Sequence, residues 1–231
     1  MYYPYYFDWT YMLLIPGLIL GLWAQFKVNS AYRRYSKVST RLGRPASEVV
    51  ADLLRRNGNG GVRVAPISGE LTDNYNPKTE TLSLSQGVYG SSSVAALGIA
   101  AHEAGHAMQK MEDYAPMRLR TAVVPVVNFG SMAYAPLFIL GLLFSWQPLV
   151  YIGILCFALT LLFSLVTLPV EFNASKRAIR LLRQDAYLTE EELSGAKAVL
   201  TAAALTYVAS MISSALQLLR LILIARDRKR N

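Results

Sequence analysis

The chain has 231 residues, a net charge of +8 and 53% hydrophobic but only 16% charged residues. This length allows one or two domains, and so much apolar sequence in long runs is typical of membrane helices rather than of one soluble core. The positive charge does not indicate nucleic acid, because the chain lacks the arginine-rich helix and the aromatic–basic alternation of a recognition module. The single cysteine, Cys156, excludes a disulfide framework and a thiolate zinc site.

Residues 1–26 are predicted to form an N-terminal membrane anchor. Five aromatic residues suited to a headgroup belt come first: Tyr2, Tyr3, Tyr5, Tyr6 and Phe7. From Trp9 to Phe26 there is no charge, and no basic leader precedes this span, so we expect a retained anchor rather than a cleaved signal peptide. Six cations follow it: Lys27, Arg33, Arg34, Lys37, Arg41 and Arg44. By the positive-inside rule this flank is cytoplasmic and the N-terminus lies outside.

Residues 27–121 are predicted to lie mostly outside the hydrocarbon. Pro45 is expected to open a helix with the apolar face Val49, Val50, Leu53 and Leu54, which Gly58 ends. Residues 62–67 and 81–84 have the pattern of short strands separated by a polar loop. The alternation in residues 82–85 predicts a half-exposed edge strand. Such a strand could pair with an extended substrate or could simply cover the core.

The sequence His102-Glu103-Ala104-Gly105-His106 lies at the end of a run of small residues and is predicted to be helical. Because positions four apart share one helical face, the two imidazoles can reach a common metal ion. Glu103, between them, is placed to accept a proton from water at that ion. Both histidines of the chain lie here, so the pattern predicts a catalytic zinc site with His102 and His106 as ligands and Glu103 as general base.

Residues 122–170 are predicted to form a transmembrane hairpin. Its spans, about 122–146 and 148–170, each exceed the ~20 residues needed to cross a bilayer. Only a short turn separates them, so the second span returns the chain to its starting side. Asn128, in the first span, is expected to face other helices, where it forms a structural hydrogen bond or contacts substrate.

The third ligand is predicted to be Glu171. A catalytic zinc usually has three protein ligands, and with both histidines used the third must be a carboxylate. No Asp or Glu lies between Tyr114 and Val170, and Glu171 follows at the returning end of the hairpin. We expect it to begin a new helix, on which Ser175 lies one turn later. The alternative role of Glu171 is a carboxylate that stabilises this helix N-terminus.

Several polar residues could support this site. Ser175, Asn173 or backbone carbonyls could accept a hydrogen bond from the imidazoles. Arg177 could pair with an acid of the site or with lipid phosphate.

Residues 171–195 are predicted to be the third-ligand helix and residues 196–231 a C-terminal membrane or interfacial helix with a basic tail. Thr189, followed by three glutamates, has the pattern of a capped helix start. The last helix bears one polar stripe: Thr206, Ser210, Ser213, Gln217 and Arg220. This stripe should face other helices or a wet cavity. Four spans would place the basic tail outside, against the charge rule, so the last helix lies along the interface or the tail is an exception.

Two stretches, Ala101–Gln109 and Pro169–Ala178, resemble the YugP-type neutral zinc metallopeptidases of bacterial membranes, and residues 82–85 and 125–131 fit the same family. The resemblance implies a multi-pass protein of the bacterial inner membrane with zinc-dependent proteolysis and Glu171 as third ligand. The arrangement is more distantly similar to the HtpX and prenyl-protein endopeptidase group, which has an acidic residue where this chain has Ser175.

Together these observations predict a mainly α membrane protein, in which a gluzincin-like core with a small β-hairpin or edge strand is combined with about four membrane helices. The expected function is hydrolysis of peptide bonds in membrane or membrane-associated proteins, near the cytoplasmic surface of the bilayer. One alternative is a zinc-binding scaffold or chaperone partner without turnover, against which Glu103 argues. The other is a site-2-like intramembrane protease, against which the charged residues after the metal helix and the absence of an Asp-Gly pair argue.

Overall fold

The computed structural model describes residues 8–230, with side chains as far as residue 227. The predicted aromatic belt and the basic side chains of residues 228–230 lie outside this described part. The chain packs into two compact units. The helical unit comprises residues 1–23, 120–167 and 206–231 as far as they are described, and the mixed unit comprises residues 24–119 and 168–205.

The described chain is mainly helical. Its α-helices are α1 (Leu14–Tyr35, after a 3-10 turn at Trp9–Leu13), α2 (Ala46–Arg56), α3 (Gln86–Tyr89), α4 (Val94–Met111), α5 (Ala115–Leu143), α6 (Gln147–Gln184) and α7 (Glu190–Arg230). Four of these segments, 9–35, 115–143, 147–184 and 190–227, are long and apolar enough to cross a membrane. The predicted number of membrane-length helices is therefore confirmed.

Helix α2 supplies much of the core of the mixed unit. Pro45 stands at its N-cap, where a missing N–H costs nothing. Val49, Val50, Leu53 and Leu54 are each at most 2% exposed and belong to one cluster with residues of β3, α4, α6 and α7. Burying a side chain of this kind contributes about 1.5–3 kcal/mol relative to leaving it exposed. The amphipathic helix predicted after Pro45 is confirmed.

A three-stranded sheet lies in the mixed unit. Its strands are β1 (Arg63–Ile67), β2 (Asn74–Asn76) and β3 (Thr81–Ser85), in the order β1-β3-β2. Strand β3 runs parallel to β1 and antiparallel to β2. The prediction of a half-exposed edge strand at β3 is wrong, because this strand is central and four of its five residues are buried. The polar segment before β3 was predicted to be a loop. It contains β2, the short strand that pairs with the second edge of β3.

Helix α6 continues through Pro169 without a break. The prediction that Glu171 begins a new helix is therefore wrong, and so is the alternative role of Glu171 at a helix N-terminus. Proline removes one backbone hydrogen bond but does not end a long helix whose other bonds and packing hold it. Helix α7 begins as predicted. Thr189 N–H donates to Glu192 Oε2 at 2.7 Å, and Glu192 N–H donates to Thr189 Oγ1 at 3.3 Å, which is a reciprocal capping box.

In the helical unit, α5 and α6 form the predicted hairpin around residues 144–146. A Cβ on Gly141 would lie 2.6 Å from Val150 N, so only glycine permits this approach of the two helices. The prediction that Asn128 faces other helices is wrong, because this residue is exposed in the described chain. Cys156 is a partly buried free cysteine.

The polar stripe of α7 faces the N-terminal segment, at least in part. Arg220 donates from Nε to Thr10 Oγ1 at 3.2 Å and pairs through Nη2 with Asp8 at 3.3 Å. A Cβ on Gly17 would lie 3.2 Å from Ser213 Cα. Packing against another helix is thus confirmed for Ser213 and Arg220, whereas Ser210 is exposed.

A buried carboxylate ties α2 to the segment between α6 and α7. The Asp52 side chain is 8% exposed and pairs with Arg55 and Arg56, and Tyr187 donates its hydroxyl to Asp52 Oδ2 at 2.6 Å. The hydrogen bonds from Tyr187 and Arg55 lower the pKa of Asp52 to about 2. The Asp52 carboxylate therefore remains charged at every pH above about 2.

We predict that Asp52→Asn lowers the Tm at pH 7 by on the order of 5 °C, because the substitution removes the charge that Tyr187 and the neighbouring arginines contact. A carboxylate with a lowered pKa contributes stability above its ordinary pKa of 3.8, and this contribution is lost as the pH falls towards 2. The Tm difference from wild type should therefore shrink between pH 4 and 2. Thermal unfolding in detergent measures it, with Glu48→Gln on the exposed face of α2 as the control. A pH-independent difference would contradict the assignment.

Candidate metal centre

The centre is built where α4 crosses α6. A Cβ on Gly105 would lie only 2.6 Å from the carbonyl oxygen of Ala174, so no other residue fits at this position without moving the helices apart. Ala104 and Ala174 are both fully buried at this crossing. The small residues of the α4 sequence thus allow direct backbone contact with α6, which brings the histidines of one helix beside the carboxylate of the other.

The structure brings the three predicted ligands together. His102 Nε2 lies 3.3 Å and His106 Nε2 lies 3.6 Å from the same oxygen of Glu171, Oε2. One donor atom from each residue falls within a set whose members all lie within 4.8 Å of one another. His106 is 7% and Glu171 2% exposed, whereas the His102 side chain is 14% exposed, so solvent reaches this set mainly at His102.

Two of these separations match the geometry of a tetrahedral zinc ion, and all three donor atoms lie within 4.8 Å of one another. Ligand atoms bonded at ~2.0–2.1 Å in a tetrahedron stand about 3.3 Å apart. The two imidazole–carboxylate distances, 3.3 and 3.6 Å, are close to this value. The His102, His106 and Glu171 side chains could therefore hold a zinc ion with only small movements.

A hydrogen bond between its second ring nitrogen and a serine hydroxyl orients His102. Its Nδ1 lies 3.1 Å from Ser175 Oγ, on the next turn of α6 after Glu171. A proton on Nδ1 leaves the lone pair on Nε2, the nitrogen that faces Glu171. Of the candidates that the sequence suggested, Ser175 is thus the residue that forms a hydrogen bond with Nδ1 of His102.

Gln109, which no motif in the sequence predicted, orients His106. This residue is fully buried, and its Oε1 lies 3.0 Å from His106 Nδ1. Its amide nitrogen donates to Val170 O at 2.8 Å and to Asn173 Oδ1 at 3.0 Å. Because both of these partners are acceptors, the amide oxygen must face the ring. His106 therefore carries a proton on Nδ1, and its Nε2 is the nitrogen that faces Glu171 and would bind a metal. The available signal was its position, one turn after His106.

Arg177 extends this network to the end of α4. Its Nε donates to Asn173 Oδ1 at 2.6 Å, and its Nη1 pairs with Glu112 Oε1 at 2.7 Å. This ion pair holds the pKa of Glu112 below its ordinary value. Of the two roles predicted for Arg177, pairing with an acid beside the site is the one that the structure contains.

Glu103 lies on α4 next to His102 and is 9% exposed. Its carboxylate has no hydrogen bond or ion pair with another residue of the described chain. Burial alone would lower the pKa of His106, but the hydrogen bond to Glu171 and the negative charges of Glu103 and Glu171 raise it. The centre thus combines two carboxylates and favours a cation between its donor atoms.

Two histidines four apart on a helix, with a glutamate between them and a carboxylate from a second helix, are a donor set of zinc peptidases. Residues 10–226 match the family described as "Putative neutral zinc metallopeptidase". A relative from Bacillus subtilis (strain 168), described as "Putative membrane protease YugP", is 43% identical over 212 residues, which cover 92% of this chain and 94% of that protein. No solved structure matches.

The chain therefore belongs to the neutral zinc metallopeptidase family, as its motifs predicted. The four long apolar helices found among its described residues and its similarity to a membrane protease indicate a membrane protein.

We predict that Gln109→Met weakens zinc binding about 10- to 100-fold, the usual effect of removing a residue that orients a ligand. Methionine fills the same space but accepts no strong hydrogen bond from His106 and donates none to Val170 or Asn173. Competition with a chromogenic chelator measures the zinc Kd. Gln86→Met, at an exposed position of α3, is the matched control. An unchanged Kd in Gln109→Met would show that this amide does not position the ligand.

Proposed function

We propose that this protein is a zinc-dependent endopeptidase that hydrolyses peptide bonds of membrane or membrane-associated proteins near the bilayer surface. The observation that carries this proposal is the convergence of His102, His106 and Glu171 on one point, beside a glutamate without a partner among the described residues. Family membership supports the same chemistry.

Each residue has a distinct role in this mechanism. His102, His106 and Glu171 hold zinc, which supplies Lewis acidity towards a carbonyl oxygen and makes water more acidic. Glu103 accepts the proton of the attacking water and returns it to the leaving amine. Ser175 and Gln109 orient the two rings so that Nε2 of each faces Glu171. A purely structural zinc site needs no free carboxylate beside its ligands, which favours the peptidase over the scaffold.

The location near the surface rests on the helices that form the site. Helix α4 is not among the candidate spans of the described chain, and charged residues follow at Lys110, Glu112 and Asp113. On α6 the uncharged run ends at Val170, immediately before Glu171. These positions favour a centre at the end of the hydrocarbon over one within it, as in a site-2-like protease. The cations after the first span favour the cytoplasmic face of a bacterial inner membrane.

We predict that Glu103→Gln retains zinc at the wild-type level but lowers the rate of peptide cleavage by about 10²–10⁴-fold, the usual contribution of a general base. The amide keeps the size of the side chain but does not accept the proton from water. Zinc content by mass spectrometry and cleavage of internally quenched peptides in detergent test this. Glu70→Gln, on an exposed loop, is the control. Cleavage at the wild-type rate by metal-replete Glu103→Gln would remove Glu103 from the mechanism.

We predict that Glu171→Ala and His102→Ala each lose most of their zinc, because two remaining ligands bind far more weakly than three. Metal analysis of wild type and both variants, purified in parallel, tests the ligand set. Glu48→Ala, on the surface of α2, is the control. Equal zinc content in Glu171→Ala would require a different third ligand. Zinc binding without chelator-sensitive cleavage in wild type would favour the scaffold.

A further inference from the structure

A cleft of about 340 Å³ lies in the mixed unit between the last turns of α6 and the first turns of α7. Its walls are largely apolar and include Phe172, Ile179, Leu200 and Ala204. Lys176 and Lys197 also line it, together with Arg183. The cleft thus combines an apolar interior with cationic side chains on both helices.

The charges around this cleft are only partly neutralised. Arg183 forms a two-point ion pair with Glu190, at 2.8 and 2.9 Å. Lys176 and Lys197 are exposed, and neither forms an ion pair or side-chain hydrogen bond with another described residue. Two positive charges from opposite walls are therefore available to an anionic ligand.

The two lysines stand where the apolar parts of their helices end. Lys176 is the first cation of α6, whose residues 147–170 carry no charge. Lys197 is the last charged residue of α7 before an uncharged run, 198–219. In a bilayer these positions fall at the headgroup layer, where basic pockets between membrane helices bind anionic lipid headgroups.

The cleft is poorly placed to hold the peptide at the scissile bond. Ser175 lines it and bonds Nδ1 of His102, the nitrogen opposite to the one that faces Glu171. Ser175 therefore stands between the cleft and the Nδ1 side of this ring, away from the Nε2 atom that faces Glu171. Its walls are helices, whose backbone groups are already hydrogen-bonded and cannot pair with an extended chain.

We propose that this cleft binds one anionic phospholipid, with the phosphate between Lys176 and Lys197 and the first part of an acyl chain against Phe172 and Leu200. The inference rests on the membrane location in the proposed function but not on peptidase activity. Bound lipid would fill the space behind Ser175 and so support the residue that orients His102.

Native mass spectrometry of the full chain released from detergent tests the proposal with phosphatidylglycerol and phosphatidylcholine as probes. Wild type should retain one phosphatidylglycerol with roughly 10- to 30-fold preference, the effect of two lysines near an anionic headgroup. Lys176→Gln/Lys197→Gln should lose this preference. Lys37→Gln/Lys78→Gln, which removes equal charge from exposed positions elsewhere in the mixed unit, should keep it.

A second variant separates lipid binding from folding. Ala204→Phe keeps both lysines but fills the cleft, and it should exclude the lipid while zinc content stays at the wild-type level. The proposal is overturned if wild type shows no preference, or if the preference survives both sets of cleft substitutions. It is also overturned if inorganic phosphate displaces the lipid at equal concentration, which would indicate a site for free phosphate. An unchanged lipid preference with a raised KM for peptides in the lysine variant would make the cleft a substrate subsite instead.

The proposed function fails separately from this inference. A chain that retains phosphatidylglycerol but never cleaves peptides would refute the peptidase and leave the lipid site standing. A chain that cleaves peptides but shows no preference for phosphatidylglycerol would refute the lipid site and leave the peptidase standing.

Discussion

The metal centre depends on one close contact, the approach of Gly105 on α4 to the backbone of Ala174 on α6. A Cβ at this position would lie 2.6 Å from a carbonyl oxygen, far inside van der Waals contact. Because the helices touch through their backbones, side chains as short as glutamate and histidine can meet across the crossing. A wider separation would leave the Glu171 carboxylate out of reach of the imidazoles, whatever the residues themselves could bind.

Once the helices are this close, buried polar groups must find partners within the crossing. An unpaired buried donor or acceptor costs about 1–3 kcal/mol, and the fully buried Gln109 avoids this cost with three hydrogen bonds. These bonds also settle which nitrogen of His106 carries the proton. The same amide therefore satisfies its own buried polar atoms and turns Nε2 of His106 towards the proposed metal position.

The sequence predicted the ligand set because few residues could compete for it. The chain has two histidines, four apart, and no carboxylate between Tyr114 and Val170, so Glu171 followed by elimination. The supporting residues were harder to predict. Gln109 has the pattern of any polar residue on a helix, and only the tertiary crossing shows that it is buried. The continuity of α6 through Pro169 depends on packing, and strand β2 is too short and too polar to predict from its own residues.

Helix α6 carries both a long uncharged segment and residues of the proposed metal centre. Within eight residues after its uncharged run it carries the proposed third ligand, the hydrogen-bond partner of His102, and the pair Asn173 and Arg177 that continues the network from Gln109. A rigid helix rises ~1.5 Å per residue, so the carboxylate cannot lie more than a few ångströms from the end of the apolar segment. We infer that a peptide bond becomes accessible to this centre only where it leaves the hydrocarbon. Selection of substrates would then depend first on depth in the membrane and only second on sequence.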